Sequence, residues 1–138
     1  MSIAQLREIR IAIDREADIV AARRAGRDLA ARLGFSAADQ TLIASAITEL
    51  ARNIVVYARH GEIVVCRVDE HRRVGMRVVA RDRGPGIENL ALALRDGYST
   101  RHSLGLGLPG ARRLMDELEI ESEVGKGTVV TLKKWVRA

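Results

Sequence analysis

At 138 residues with a formal net charge of +5 and nearly half its side chains hydrophobic, the chain is long enough for one domain with a proper core. Its single cysteine, Cys66, excludes a disulfide framework and a cysteine-based metal site. The basic residues are scattered and only Phe35, Tyr57, Tyr98 and Trp135 are aromatic, which argues against nucleic-acid binding despite the positive charge.

The core must be built from Ile, Val, Leu and Ala. Only Lys126, Lys133 and Lys134 are lysines, and the arginine bias suits phosphate or carboxylate recognition. The amino terminus lacks the apolar centre of a signal peptide. No uncharged apolar run approaches the roughly 18 residues of a membrane span. The expectation is a cytoplasmic protein that engages neither membrane nor nucleic acid.

In chain order, Leu6 to Ile13 alternates as a strand. A helix follows from about Ala17 to Leu33, striped by Ile19, Val20, Leu29 and Leu33, with Gly34 in the C′ position. Ser36 caps a second helix with Asp39 at N3, and this helix is expected from Ala37 to about Ala58. Glu62–Val68 and Val74–Asp82 read as a hairpin across the polar turn Asp69 to Arg73. Glu88 to Arg95 reads as a short helix closed by Gly97, and Tyr98 to Leu104 has no period. Gly105 to Gly110 leads into helical spacing that runs to Leu118. Glu119–Val124 and Thr128–Val136 form a last hairpin around Gly125-Lys126-Gly127. The whole reads as one α+β domain, residues 1–138: a mixed, mostly antiparallel sheet covered by helices on one face.

Three stretches carry chemistry. In Ala80-Arg81-Asp82-Arg83-Gly84-Pro85-Gly86, period two puts Met76, Val78, Ala80 and Asp82 on one strand face. An acid that closes an apolar face needs a donor. One reading is a surface turn in which Asp82 bonds the backbone two residues on. The other is an acceptor for a ligand N–H, with Gly84 and Gly86 letting the ligand lie against bare backbone.

On the second helix, steps of about 100° per residue cluster Leu50, Ile43, Ile54 and Ile47, with Glu49 and Asn53 as i,i+4 neighbours at the margin of the stripe. Such oxygens suit Mg²⁺, and a carboxylate there can polarise an attacking hydroxyl. The alternative is that Glu49 pairs with Arg52 or Arg59 on a solvated face. The third stretch, Gly105-Leu106-Gly107-Leu108-Pro109-Gly110, fails as a dinucleotide fingerprint because polar loop precedes it and no acid follows about 20 residues on. Glycines leading into a helix start still make an anion site. Arg101, His102 and Arg112 or Arg113 lie within reach of a phosphate there. Gly125-Lys126-Gly127-Thr128 lacks the upstream glycine of a Walker A loop. His60, His71 and His102 show no ligand spacing, and Ser99 and Ser103 have no histidine–acid partners that can be placed.

Glu49-x-x-x-Asn53, Asp82-x-Gly84-x-Gly86, Gly105-x-Gly107-x-x-Gly110 and Gly125-Lys126-Gly127-Thr128 stand in one order. Together they resemble the N, G1, G2 and G3 boxes of the GHKL (Bergerat-fold) ATPases. Thr48–Ile54, Asp96–Thr100, Leu108–Glu117 and the ending Lys134-Trp135-Val136-Arg137 are similar to the RsbT-type switch kinases of bacterial stressosomes, over nearly the whole chain.

The resemblance implies a Bergerat fold, ATP and Mg²⁺, and phosphorylation of serine or threonine. It implies Glu49 as catalytic carboxylate and Asn53 as magnesium ligand. Asp82 would accept the adenine amino N–H, with Gly84, Gly86, Ile87 and Thr128 at the base. Arg101, Gly105, Leu106, Gly107, Leu108 and Gly110 would serve the phosphates. The implied partners are STAS-domain proteins of the RsbS and RsbR types as substrates, and a PPM-type phosphatase of the RsbU type that the released kinase activates. Two alternatives share these boxes: an anti-sigma factor kinase of the RsbW or SpoIIAB type, and a mainly non-catalytic partner-switching module. The polar loop before Gly105 departs from the family pattern, with Arg101-His102-Ser103 where small residues or glycine are usual.

Overall fold

The computed structural model describes residues 8–84 and 108–137. The helix expected over Glu88–Arg95 and the aperiodic stretch Tyr98–Leu104 lie outside the described residues. The described chain runs β1 (Ile9–Ile13), α1 (Glu16–Leu33), α2 (Ala37–Asn53), a π-helical turn (Ile54–Ala58), β2 (Gly61–Glu70), β3 (Arg73–Asp82), α3 (Leu108–Leu114), β4 (Glu117–Glu123) and β5 (Gly127–Trp135).

The helix ends follow their sequence signals. Gly34 sits at φ +95°, its N–H donating to Ala31 O at 3.2 Å while Phe35 N–H donates to Ala30 O at 3.1 Å, the paired bonds of a Schellman ending. Ser36 Oγ accepts from Asp39 N–H at 3.1 Å and caps α2. The continuous helix expected to Ala58 does not persist. After Asn53 the run Ile54-Val55-Val56 crowds the backbone with β-branched side chains, and the hydrogen bonding widens to a π turn, closed by Arg59 N–H on Ile54 O at 2.6 Å.

The strands order β1-β2-β3-β5-β4, and every described pairing is antiparallel. The β2–β3 hairpin closes on two residues, His71 and Arg72, both at positive φ (51° and 65°), which matches the right-handed twist of the strands it joins. β4 begins two residues earlier than its sequence spacing suggested. The helical stretch expected to reach Leu118 ends at Leu114, and Glu117 and Leu118 pair with Lys133 and Leu132. That pairing decides the boundary, and along Glu-Leu-Glu-Ile-Glu-Ser-Glu the acids then face out and Leu118 and Ile120 in.

Among the described residues the helices lie on one face of the sheet. Ile63, Val65, Met76, Val78, Ala80, Val130 and Leu132 meet Ile19 and Leu29 of α1, Ile43, Ile47 and Leu50 of α2, and Ile54, all buried. α3 packs on α2 and buries Ala111 and Met115. By length and mean hydropathy (1.2 over Ala37–Ala58) α2 with its π turn also passes for a membrane span, but its apolar stripe lies against the sheet. Since Ile47 has no exposed surface, Ile47→Ala is expected to destabilise the fold by about 2–5 kcal/mol, read as a lower urea midpoint at unchanged slope.

Candidate functional site

The inner-face alternation of β3 ends on Asp82, and register fixes its neighbours. Asp82 stands opposite Gly61 of β2 and Thr128 of β5. The turn reading of this acid holds. Gly84 N–H donates to Asp82 Oδ1 at 2.8 Å, the local turn, and the backbone N–H of Thr128 donates to the same carboxyl. The acid therefore has two backbone donors. Burial pushes its carboxyl above the ordinary carboxylate value, against the pull of those two donors. A carboxylate offers about four acceptor positions, so two N–H groups leave room for a further donor.

Two glycines make this arrangement possible. A Cβ on Gly84 would lie 2.7 Å from Ala58 Cβ and 2.9 Å from its Cα, on the π turn. A Cβ on Gly127 (φ +119°) would run into the Asp82 carbonyl oxygen and lie 2.7 Å from Arg83 Cα. Gly84 is thus explained by packing against the end of the α2 segment, whatever else it accommodates. Thr128 is buried, its hydroxyl 2.9 Å from Ser122 Oγ.

Asn53 is the last residue of α2, with its Oδ1 buried, and the π turn that follows carries Ala58 to Gly84. That turn joins the Asn53 end of α2 to the Asp82 end of β3 through the packing of Ala58 on Gly84. Glu49 lies one helical turn earlier, a third exposed, and pairs with Arg52 at 3.2 Å. The ion-pair alternative for Glu49 is therefore realised, on a side chain that remains reachable from solvent. Glu49 and Asn53 supply hard oxygens, a carboxylate and an amide. That donor set fits Mg²⁺, which takes one or two protein oxygens and completes its shell with phosphates and water.

Leu108 opens α3 and Gly110 lies within it. A Cβ on Gly110 would meet no described atom within 4 Å, so packing among the described residues gives no reason for glycine there. Gly86, Ile87, Arg101, Gly105, Leu106 and Gly107 lie outside the described residues. A cleft of about 550 Å³ opens at the same end of the sheet, lined by His60, Gly61, Glu62, Arg81, Asp82, Arg83 and Val129. Glu62, Arg81 and Val129 alternate with the core-facing positions of their strands. That cleft therefore opens on the sheet face opposite the helices and not in the space between Asp82 and α2. Sequence reasoning missed Ala58, and it named Gly127 within its box but not for its contact with Asp82. The β-branched run after Asn53 signalled a disturbed helix end, whereas nothing local to Gly127 announced its contact with Asp82.

The sequence matches the histidine kinase-like ATPase domain family over residues 13–134. It is 48% identical over 122 residues to the serine/threonine-protein kinase RsbT of Bacillus subtilis, covering 88% of this chain and 92% of that protein. It is 34% identical over 95 residues to the anti-sigma F factor of Clostridium acetobutylicum, covering 64% of this chain and 65% of that protein. Among solved structures, the RsbU and RsbW domains of Rv1364c from Mycobacterium tuberculosis align with a TM-score of 0.65 at 24% identity. That alignment covers 95% of this chain and 33% of the longer one, and shows the same fold.

Asp82 makes a pH prediction. An acid whose native pKa is raised holds its proton more tightly when folded. Its stabilising contribution is complete below the ordinary value of 3.8 and is lost as pH rises through the raised native value. Asparagine keeps an acceptor for Gly84 but does not titrate. The unfolding free energy of the wild type relative to Asp82→Asn is therefore expected to fall from acid towards neutral pH in urea titrations. A rise across that window contradicts the assignment.

Proposed function

The chain belongs to the histidine kinase-like ATPase domain family, and from that premise we propose that the Asp82 end of β3 holds the base of ATP while the Glu49 edge of α2 directs its γ-phosphoryl group to a protein hydroxyl. It is an ATP-using, partner-switching serine/threonine-protein kinase similar to RsbT. The observation that carries the site assignment is Asp82 itself. It is half-buried, tied to Gly84 and Thr128, and keeps acceptor capacity for the adenine amino N–H.

In this reading residues 1–138 act as one ATP-binding kinase domain. Asp82 orients the base, with Gly84, Gly86, Ile87 and Thr128 around it. Asn53 holds Mg²⁺, which supplies charge neutralisation at the phosphates. Gly105, Leu106, Gly107, Leu108 and Gly110, with Arg101, hold the phosphate chain. Glu49 takes the proton from the attacking serine or threonine hydroxyl. The hydroxyl oxygen bonds to the γ-phosphorus, the bond from that phosphorus to the bridging oxygen breaks, and ADP leaves. The Arg52 pair keeps the Glu49 carboxylate oriented until substrate arrives.

The substrates in this proposal are STAS-domain proteins of the RsbS and RsbR types in the cytoplasm, which also sequester the kinase. Once released, it binds and activates a PPM-type phosphatase of the RsbU type. Likeness to RsbT over most of both chains supports this choice. Likeness to an anti-sigma F factor supports the second reading, a kinase that holds a sigma factor. Co-purification separates them: recovery of the phosphatase supports the first and recovery of a sigma factor the second.

Glu49→Ala is expected to lower phosphate transfer from labelled ATP to a STAS partner by about 10²–10⁴-fold, with ATP affinity and melting temperature kept. A fully active Glu49→Ala protein overturns the catalytic role. If that variant still activates the phosphatase, partner binding and catalysis are separate functions of one domain.

A further inference from the structure

We infer that Lys134 is a positioning residue for the phosphate end of this site, acting through α3; the inference rests on the functional reading above. Lys134 follows Thr128, Val130 and Leu132 on the core-facing side of β5 and is 5% exposed. Its Nζ donates to the carbonyl of Leu114, the last residue of α3, at 2.9 Å.

Among the described residues helix α3 has seven. Isolated helices shorter than about 12–15 residues are marginal in water, so α3 owes its place to tertiary contacts. Two kinds are present. Ala111 and Met115 are buried where α3 packs on α2. At its carboxyl end the residues of β5 and beyond close on it. Asp116 N–H donates to Lys133 O at 2.9 Å, and Asp116 accepts from Trp135 N–H at 2.8 Å and from Arg137 at 2.9 Å.

The Lys134 bond reaches the carbonyl of the helix's last residue, which has no intrahelical donor, and it brings a cation to the negative end of the helix dipole. Seven residues span only about 10 Å, so the helix moves as one short rod. Its far end carries Leu108 and Gly110, which the proposed site uses for phosphate. A tilt released at Leu114 displaces those backbone groups while leaving Asp82 and Thr128, at the opposite end of β5, where they are.

The test compares ATP with adenosine, which lacks the phosphates. Lys134→Met keeps the straight apolar stem and removes the donor. The ratio of ATP to adenosine affinity is expected to fall about tenfold, with adenosine affinity unchanged, and Lys134→Arg is expected to recover part of it. Binding and release are reciprocal. In the wild type, ATP but not adenosine is therefore expected to slow hydrogen exchange at the Met115 and Asp116 amides, a reading independent of whether the variant folds. A wild-type preference for ATP that Lys134→Met leaves intact overturns the inference alone, as does equal protection by both ligands. A wild-type protein that binds ATP no better than adenosine overturns the functional reading beneath it.

Discussion

A half-buried carboxylate at the end of β3 is held between backbones that pass too close for side chains, and the rest of the site hangs from that constraint. Gly84 N–H and Thr128 N–H fix the Asp82 carboxyl. Gly84 can make its bond only because it meets Ala58 without a Cβ, and Gly127 can enter β5 only because it passes the Asp82 backbone without one. The first contact brings in the end of the α2 segment, and with it Asn53 and Glu49. The second sets the β3–β5 register, and with it Thr128. The acceptor positions left on this half-buried carboxylate are open to a further donor, the place the proposed ligand N–H would take.

Strand β5 joins the two ends of this arrangement. It starts at Gly127 and Thr128 beside Asp82 and finishes at Lys134 and Trp135 beside the carboxyl end of α3. Trp135 is itself fixed three ways, by Asp116 on its N–H, by Glu117 on its ring nitrogen at 2.8 Å and by Arg73 stacked 4.2 Å from the ring centre. The chain needs so firm a clasp because α3 is too short to hold itself. In the proposed reading, a kinase that switches partners gains from a domain whose base end would be built into the sheet while its phosphate end would rest on a small, separately held helix.

Much of this was legible in the residues because it depends on local periodicity. The inner-face series Met76, Val78, Ala80, Asp82 follows from alternation alone, and Gly34 and Ser36 end and start their helices as their chemistry dictates. The four boxes gave the family from order and residue type. What was not legible is what depends on backbones meeting across the fold. Gly84 reads as room for a base, yet its nearest neighbour is Ala58, 26 positions away in the chain. The π turn replaces a helix end that periodicity extends smoothly to Ala58, because steric crowding at Ile54–Val56 acts on hydrogen bonds and not on the pattern of apolar faces. Glu117 and Leu118 fit both a helical and an alternating pattern, and pairing with Lys133 and Leu132 decided between them.

The central claim is that Asp82 accepts the amino N–H of adenine. It is tested most directly by a double-mutant cycle between this residue and that group, using ATP and the triphosphate of purine riboside, which lacks the amine, against wild type and Asp82→Ala. Because a hydrogen bond to a charged group contributes about 1.5–3 kcal/mol, loss of the amine is expected to weaken binding to the wild type at least about tenfold. Binding to Asp82→Ala should hardly change. An equal loss in both proteins would mean that the amine is read elsewhere, and would contradict the account.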